Sequence, residues 1–241
     1  MRYGIFSDVH SNLEALEAVF KAVEKEGVDQ LLCAGDLIGY GADPSGCLAL
    51  LKEHGVHSVC GNHDAAVTGR LELDWFNPQA RAAVEWTSMQ ISPTDRSALE
   101  DLQFVWQNGD LALVHGCLHE PEQFHYVLNL SDAQESFRLQ ETPAVFIGHT
   151  HSPGIFIQEG TDFSFQRTSE WRLDSHCRYL VNVGSVGQPR DGDPRACYCV
   201  YDTETRALQL KRVSYPIEQT QAKIRGTGLP EFLADRLAYG Y

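Results

Sequence analysis

Apolar and polar positions alternate in two rhythms over the first sixty residues. Arg2–Phe6 is a short apolar run, and Leu13, Leu16, Val19, Phe20 and Val23 then recur at three- and four-residue spacing, with Ser11 or Asn12 placed to cap a helix over 13–23. The unit repeats, with residues 30–34 reading as strand, 44–53 as helix and 56–60 as a third strand. This alternation predicts a parallel sheet with covering helices. Over 65–107 the spacing turns helical: Trp75, Phe76, Ala80, Ala83, Val84, Trp86 and Met89 fall on one pattern, and Ser92-Pro93 opens a second helix over 94–102. The stretch is expected to be a helical insertion.

The rest of the chain is strand-rich. Short runs at 111–114, 144–147, 155–157, 163–166, 179–183, 196–201 and 208–213 are bounded by Gly, Pro, Asp or Asn. Helical spacing returns at 132–140 and 230–238. Two mixed sheets need their outer faces covered, so the expected fold is α/β, a four-layer α/β/β/α sandwich forming a single domain over 1–241.

Small polar strings interrupt this pattern where strands end: Asp8-Val9-His10, Gly35-Asp36, Gly61-Asn62-His63-Asp64, His115-Gly116 and Gly148-His149-Thr150-His151. Each pairs oxygen or imidazole donors with a small residue. In open parallel sheets the loops of neighbouring strands meet beyond the carboxyl ends, and mixed N/O donors suit a divalent cation. Taken singly, Asp-x-His or Gly-Asp arises easily by chance; the joint, ordered occurrence carries the signal. In that order the strings resemble the calcineurin-like metallophosphoesterase family, pattern D-x-H, G-D, G-N-H-D/E, H-G, G-H-x-H, in its small bacterial and archaeal phosphodiesterase branch. Asn182-Val183-Gly184-Ser185-Val186-Gly187 is similar to the glycine-rich turn that closes the site in that branch.

The resemblance implies the fold named above and two divalent metal ions. Asp8, His10, Asp36 and His151 would hold one, and Asp36, Asn62, His115 and His149 the other, with Asp36 shared. Without a thiolate ligand, Mn or Fe is favoured, while Zn, Ni or Co also suit the donors. A bridging hydroxide would attack phosphorus in line. His63 occupies the family's proton-donor position, and Asp64 is expected to orient its ring. Substrate contacts are expected from Asn62, Arg190, Asn12 and Tyr40. Within the loop 187–195, Arg190 and Arg195 either grip a phosphate or pair with Asp191 or Asp193. Trp75 and Phe76 either stack a substrate base or, the commoner fate of such a pair on an amphipathic helix, belong to the core. His54, His57, His119, His125 and His176 match no position of the pattern and are expected on the surface or in packing.

The expected function is two-metal hydrolysis of phosphodiester or phosphoanhydride bonds in small, nucleotidic substrates. A Ser/Thr protein phosphatase or phosphomonoesterase is the alternative. The family's protein phosphatases carry G-D-x-V-D-R-G where this chain reads Gly35-Asp36-Leu37-Ile38-Gly39-Tyr40-Gly41, which weakens the first of these. A non-catalytic scaffold on the same fold is the reading from another class, and the presence of His63 speaks against it.

Charge narrows the partners. With 33 acidic against 19 basic residues and a net charge of -14, the chain lacks the clustered cations that extended nucleic acid requires. A small anion would still be drawn to bound cations. Seven cysteines without zinc-knuckle spacing read as reduced thiols, Cys197 and Cys199 sharing a strand face and Cys117, beside His115-Gly116, being the one to watch. No leader pattern or bilayer-length apolar run is read, so a cytoplasmic protein without membrane contact is expected. The apolar residues of 65–107 offer a face for a homo-oligomer or a lid over the substrate.

Overall fold

Twelve strands form two six-stranded sheets in the computed structural model, which describes residues 1–241. Strand β1 (Arg2–Phe6) leads into helix α1 (Leu13–Val23), whose first turn is capped by the Asn12 side chain accepting from the Ala15 N–H. Strand β2 (Gln30–Cys33), helix α2 (Pro44–Glu53) and the short β3 (His57–Ser58) repeat the unit. Helices α3 (Asn62–Val67), α4 (Pro78–Gln90) and α5 (Pro93–Glu100) follow, the last opened by a Ser92–Asp95 capping box. Then come β4 (Val105–Gln107), β5 (Leu111–Val114), α6 (Leu130–Leu139), β6 (Ala144–Ile147), β7 (Gly154–Glu159), β8 (Asp162–Gln166), β9 (Glu170–Arg172) and β10 (Cys177–Asn182). Strands β11 (Ala196–Asp202) and β12 (Ala207–Val213) and helices α7 (Ile217–Gly226) and α8 (Glu231–Asp235) complete the chain.

One sheet runs β3-β2-β1-β11-β12-β9 and the other β4-β5-β6-β10-β7-β8. Both are mixed: β1 pairs parallel with β2 and antiparallel with β11, and β10 pairs parallel with β6 and antiparallel with β7. The two-residue period of the strands sorts the core into layers. Tyr3 and Ile5 of β1 and Cys199 and Tyr201 of β11 point between the sheets to meet Leu111, Leu113, Phe146 and Val181. On the opposite face, Phe6, Tyr198 and Val200 pack under Leu16, Val19 and Phe20 of α1. Val114, Val145, Ile147 and Leu180 lie under Ala133 and Phe137 of α6. The four-layer sandwich is therefore formed, and because both faces of each sheet are buried, its central strands read as continuous apolar runs. Each fully buried Leu or Phe there contributes about 2–3 kcal/mol.

Three expectations are corrected. The stretch 65–107 is not wholly helical: α3 already begins at Asn62, and Val105–Gln107 pairs antiparallel with β5 as an edge strand. The expected strand 56–60 contracts to His57–Ser58, because the Cys60 N–H leaves the ladder to donate to the Gln103 carbonyl. The sequence pattern missed β9, whose Glu-Trp-Arg edge carries one apolar residue, and α7, which buries only Thr220 and Ile224. No helix is long and apolar enough to cross a membrane.

Candidate metal centre

The polar strings converge at the strand ends. Asp8 and His10 follow β1, Asp36 follows β2, Asn62 and His63 open α3, His115 follows β5, and His149 and His151 follow β6. One ligand atom each from Asp8, His10, Asp36 and His151 lie within 4.8 Å of one another, and so do those from Asp36, His115 and His149, which places Asp36 in both groups. His115 Nε2 is 3.3 Å from Asp36 Oδ2 and 3.2 Å from Asn62 Oδ1, bringing the amide into the second group. His151 Nε2 is 3.1 Å from Asp8 Oδ1.

Holding these side chains together strains the backbone. Asp8, His10, Asp36, His149 and His151 all adopt left-handed φ values between 49° and 67°. Such residues cost about 1–3 kcal/mol each and persist only where the surroundings over-determine them. Here the loops brace one another: Asp8 N–H donates to the Gly35 carbonyl and His10 N–H to that of Asp36. From the glycine-rich segment, Gly187 N–H and the Ser185 hydroxyl both donate to the Asp8 carbonyl. At Gly61, a Cβ would collide with the Asp36 carboxylate, so only glycine lets the third string approach the second.

The imidazoles are set for cation binding by their outer bonds. His10 Nδ1 lies 3.2 Å from the Ile38 carbonyl, His115 Nδ1 2.8 Å from that of Ala34, and His151 Nδ1 2.6 Å from that of Gln188. A carbonyl only accepts, so each ring carries a proton on Nδ1 and turns Nε2 inward. His10 Nε2 then faces His151 Nε2 at 3.1 Å, and His115 Nε2 faces His149 Nδ1 at 3.1 Å. Inward-facing nitrogen lone pairs at that distance repel unless a cation or proton joins them. Imidazole nitrogen, carboxylate oxygen and one amide oxygen form a donor set that fits two divalent cations.

The electrostatics agree. Burial works against the charged forms of Asp8 and Asp36, but His151 beside the first and His115 beside the second hold both carboxyls well below their usual range. Burial likewise opposes a charge on His115, yet Asp36 and then Asp8 raise it to about 9, so in the metal-free protein a proton occupies this position at neutral pH. Burial drives His10 and His149 far below the ordinary histidine value and lowers His151 as well, leaving them neutral.

The expected neighbours divide. His63 stands at the edge of the cluster, its ring 4.3 Å from that of Tyr40 and edge-on to Phe76 at 5.1 Å. Its Nδ1 is buried without a partner against Gly39, whose φ of +94° and missing side chain make room for it. Asp64 does not orient this ring, contrary to expectation. Its carboxylate accepts from the backbone N–H groups of Leu37, Ile38 and Gly61 at 2.9–3.3 Å, tying the second string to the third. Burial and the charge of Asp36 raise Asp64 to about 7.

Asn12 also departs from expectation. Its oxygen caps α1 and accepts from Thr220, and its amide donates to the Gly187 carbonyl, so it is buried in the fold as a structural residue. The two arginines separate: Arg195 pairs with Asp193 at 2.6 Å on the exposed loop, whereas Arg190 has no carboxylate partner. Arg190 donates to Gln188 Oε1 at 2.7 Å, and its guanidinium lies 5.7 Å from the centre of the Tyr40 ring. Cys117 is buried against the Ser136 hydroxyl and is a packing residue.

Three participants were not legible as site residues. Tyr126 stacks on His149 at 3.8 Å with an interplanar angle of 16°. His125, expected in packing or on the surface, lines with Tyr126 and His149 a cleft beside the cluster. Arg236 adds a second guanidinium near Arg190; burial and that neighbouring charge lower it to about 10. Only an aromatic next to a histidine, Tyr126 after His125, was visible in the sequence, and nothing there ties it to a metal string. Trp75 is not core, as the commoner fate had suggested: it is 81% exposed.

Residues 1–206 match the calcineurin-like phosphoesterase superfamily domain. An uncharacterised protein of Methanocaldococcus jannaschii is 35% identical over 240 residues, covering 98% of this chain and 97% of the relative. The crystal structure of a metallophosphoesterase from Sphaerobacter thermophilus superposes with a TM-score of 0.88 at 41% identity, covering 100% of this chain and 99% of that one. A hypothetical protein from Pyrococcus horikoshii shares the fold at a TM-score of 0.81 and 17% identity, over 100% of this chain and 98% of its own.

Proposed function

Because the chain belongs to the calcineurin-like phosphoesterase superfamily, we propose that it hydrolyses phosphodiester or phosphoanhydride bonds in small nucleotidic substrates with the help of two divalent metal ions. The observation that carries this reading is the set of inward-turned nitrogens: three histidines are fixed by backbone carbonyls so that their Nε2 atoms converge with Asp8 and Asp36. Asp8, His10, Asp36 and His151 would hold one ion, and Asp36, Asn62, His115 and His149 the other. Manganese or iron is the favoured occupant, since no cysteine sulfur reaches the cluster. Bound there, such ions supply Lewis acidity to a phosphoryl group and acidify a water molecule.

The chain's own residues would do the rest. Arg190, bonded to Gln188 and free of any carboxylate, would grip a phosphate oxygen. His63, which burial lowers to about 4 in the metal-free protein, would give a proton to the departing alkoxide from its imidazolium form, taken up once an anionic substrate sits beside it. With Nδ1 sealed against Gly39, Nε2 is the nitrogen available for that transfer. The buried, rigid loops would keep the reacting groups aligned, which lowers the entropic part of the barrier.

The test is turnover of bis(p-nitrophenyl) phosphate, p-nitrophenyl phosphate and diadenosine tetraphosphate by protein loaded with Mn²⁺ or Fe²⁺, alongside His63→Ala. We expect hydrolysis by the native protein and a loss of about 10²–10⁴-fold in the variant with its metal content retained. Absence of turnover with every divalent cation tried would sink the enzyme reading.

A further inference from the structure

A cleft of about 310 Å³ opens directly from the metal cluster, with Asn62, His63 and His149 at its inner end. Its volume is within the range of about 300–1,000 Å³ typical of small-molecule sites. The segment 71–80 of the insertion supplies Trp75 and Phe76 to its lining, and the segment 123–126 supplies Tyr126. Thirteen residues line the cleft, and none is Asp, Glu, Lys or Arg, although these make up 22% of the chain. A second phosphate or an acidic peptide placed along its walls would meet no Lys or Arg side chain. The unpaired guanidinium of Arg190 does not line it.

Phe76 packs against the core, whereas Trp75 and Tyr126 are arranged for contact with something in the cleft. Trp75 is 81% exposed and Tyr126 50% exposed, so both offer ring faces to whatever enters. Tyr126 is held by stacking on His149, and its segment includes Phe124 at a φ of +53°, a strained backbone for a bulky side chain. An aromatic surface of this kind, open to water and joined to a reacting centre, favours a planar ring over an aliphatic or charged group.

We infer that this cleft binds the leaving group of the substrate as an uncharged planar ring of the nucleobase type, with Trp75 as the residue that selects it. The assignment to the leaving side follows from His63, which lines the cleft and which the proposed function makes the proton donor to the departing oxygen. The phosphoryl group's remaining oxygens or its other ester arm then lie toward Arg190. The inference rests on the phosphoesterase reading for the words "leaving group" but not for the ring itself.

Two measurements separate those parts. In Mn²⁺-loaded protein, Trp75→Ala should raise KM for bis(p-nitrophenyl) phosphate about tenfold, the order of one lost stacking contact, with kcat changed less than about twofold and inhibition by inorganic phosphate unaltered. Trp75→Phe should restore most of the KM. In metal-free protein, equilibrium dialysis should show adenosine binding that weakens about tenfold in Trp75→Ala, and ribose should not bind. An unchanged KM, or adenosine retained equally by Trp75→Ala, overturns the inference while leaving hydrolysis intact. If the native protein hydrolyses nothing, the phosphoesterase reading fails and the dialysis alone decides: Trp75-dependent adenosine binding upholds the ring site, and its absence removes it.

Discussion

Around Asp36 the side chains are polar and mostly buried, and the rings of His10, His115 and His151 are fixed from behind by backbone carbonyls; a few ångströms away, in the cleft of Trp75, Phe76 and Tyr126, the walls are largely aromatic, partly open and free of Asp, Glu, Lys and Arg. The first region tolerates little change, because each imidazole's tautomer and each loop's left-handed turn depend on the next. The second can alter one ring at a time, since an exposed side chain such as Trp75 supports nothing behind it. Under the proposed function, chemistry and choice of substrate would be carried by differently built neighbours, and a substitution should disturb one without the other.

The largest separation is expected from Asp36→Asn. Losing the charge shared by both ligand groups should reduce bound metal below two ions per chain and lower turnover by on the order of a thousandfold or more. That exceeds the roughly 10–100-fold loss typical of removing an outer partner of a ligand. Adenosine binding to the same variant should stay within about twofold of native, the converse of the Trp75→Ala outcome. Elemental analysis and dialysis on one preparation would check both, and a variant that keeps both metals would remove Asp36 from its shared position.

A smaller effect should come from Asp64, which lies beside His63 in sequence but bonds to backbone. Asp64→Ala leaves the buried N–H groups of Leu37, Ile38 and Gly61 without an acceptor, and should destabilise the protein by about 2–4 kcal/mol in denaturant melts. Asp64→Asn keeps one acceptor oxygen and should retain kcat within about fivefold, far from the loss expected of His63→Ala. A rate profile that shifts in Asp64→Asn as it would on losing a ring partner would restore the orienting role that the geometry does not display.

Legibility follows the same division. The motif strings were readable because metal ligation admits few residue types and because strand ends bring distant strings together; Asp8 and His151 meet although 143 positions separate them in the chain. The layered fold was readable because doubly buried strands leave long apolar runs. What the sequence concealed has physical reasons too. Asp64 is adjacent to His63, but the turn into α3 aims its carboxylate back at the second string. Trp75 sits on helical spacing with true core residues such as Ala83 and Val84, and spacing alone does not say that its stretch, Leu73–Trp75, is a separate short turn that packs Leu73 against the core and leaves Trp75 outside. Tyr126 and Arg236 come from segments with no motif, placed only by the closure of the whole chain.

The smallest expected effect concerns the proton that stands where a metal would. In the metal-free protein Asp36 and Asp8 outweigh burial and raise His115 from its ordinary 6.5 to about 9. A histidine raised by folding contributes stability that is complete below its unfolded value and is lost as pH climbs through the folded one. Asp64, raised to about 7, loses stability in the same direction as pH rises through that value, so its share falls mainly at the lower end of the window and His115 carries the upper part toward pH 9. Thermal melts in chelator should therefore show stability declining across pH 7–9, while metal-loaded protein holds level because cations have replaced the proton. Over the same window metal binding should tighten with rising pH and release progressively fewer protons, readable by calorimetry in buffers of different ionisation enthalpy. His115→Asn, which keeps a neutral ligand without the titration, should flatten the chelated profile. If the native decline survives that substitution, the proton lies elsewhere and the coupling between Asp36 and His115 is not what readies the site for metal.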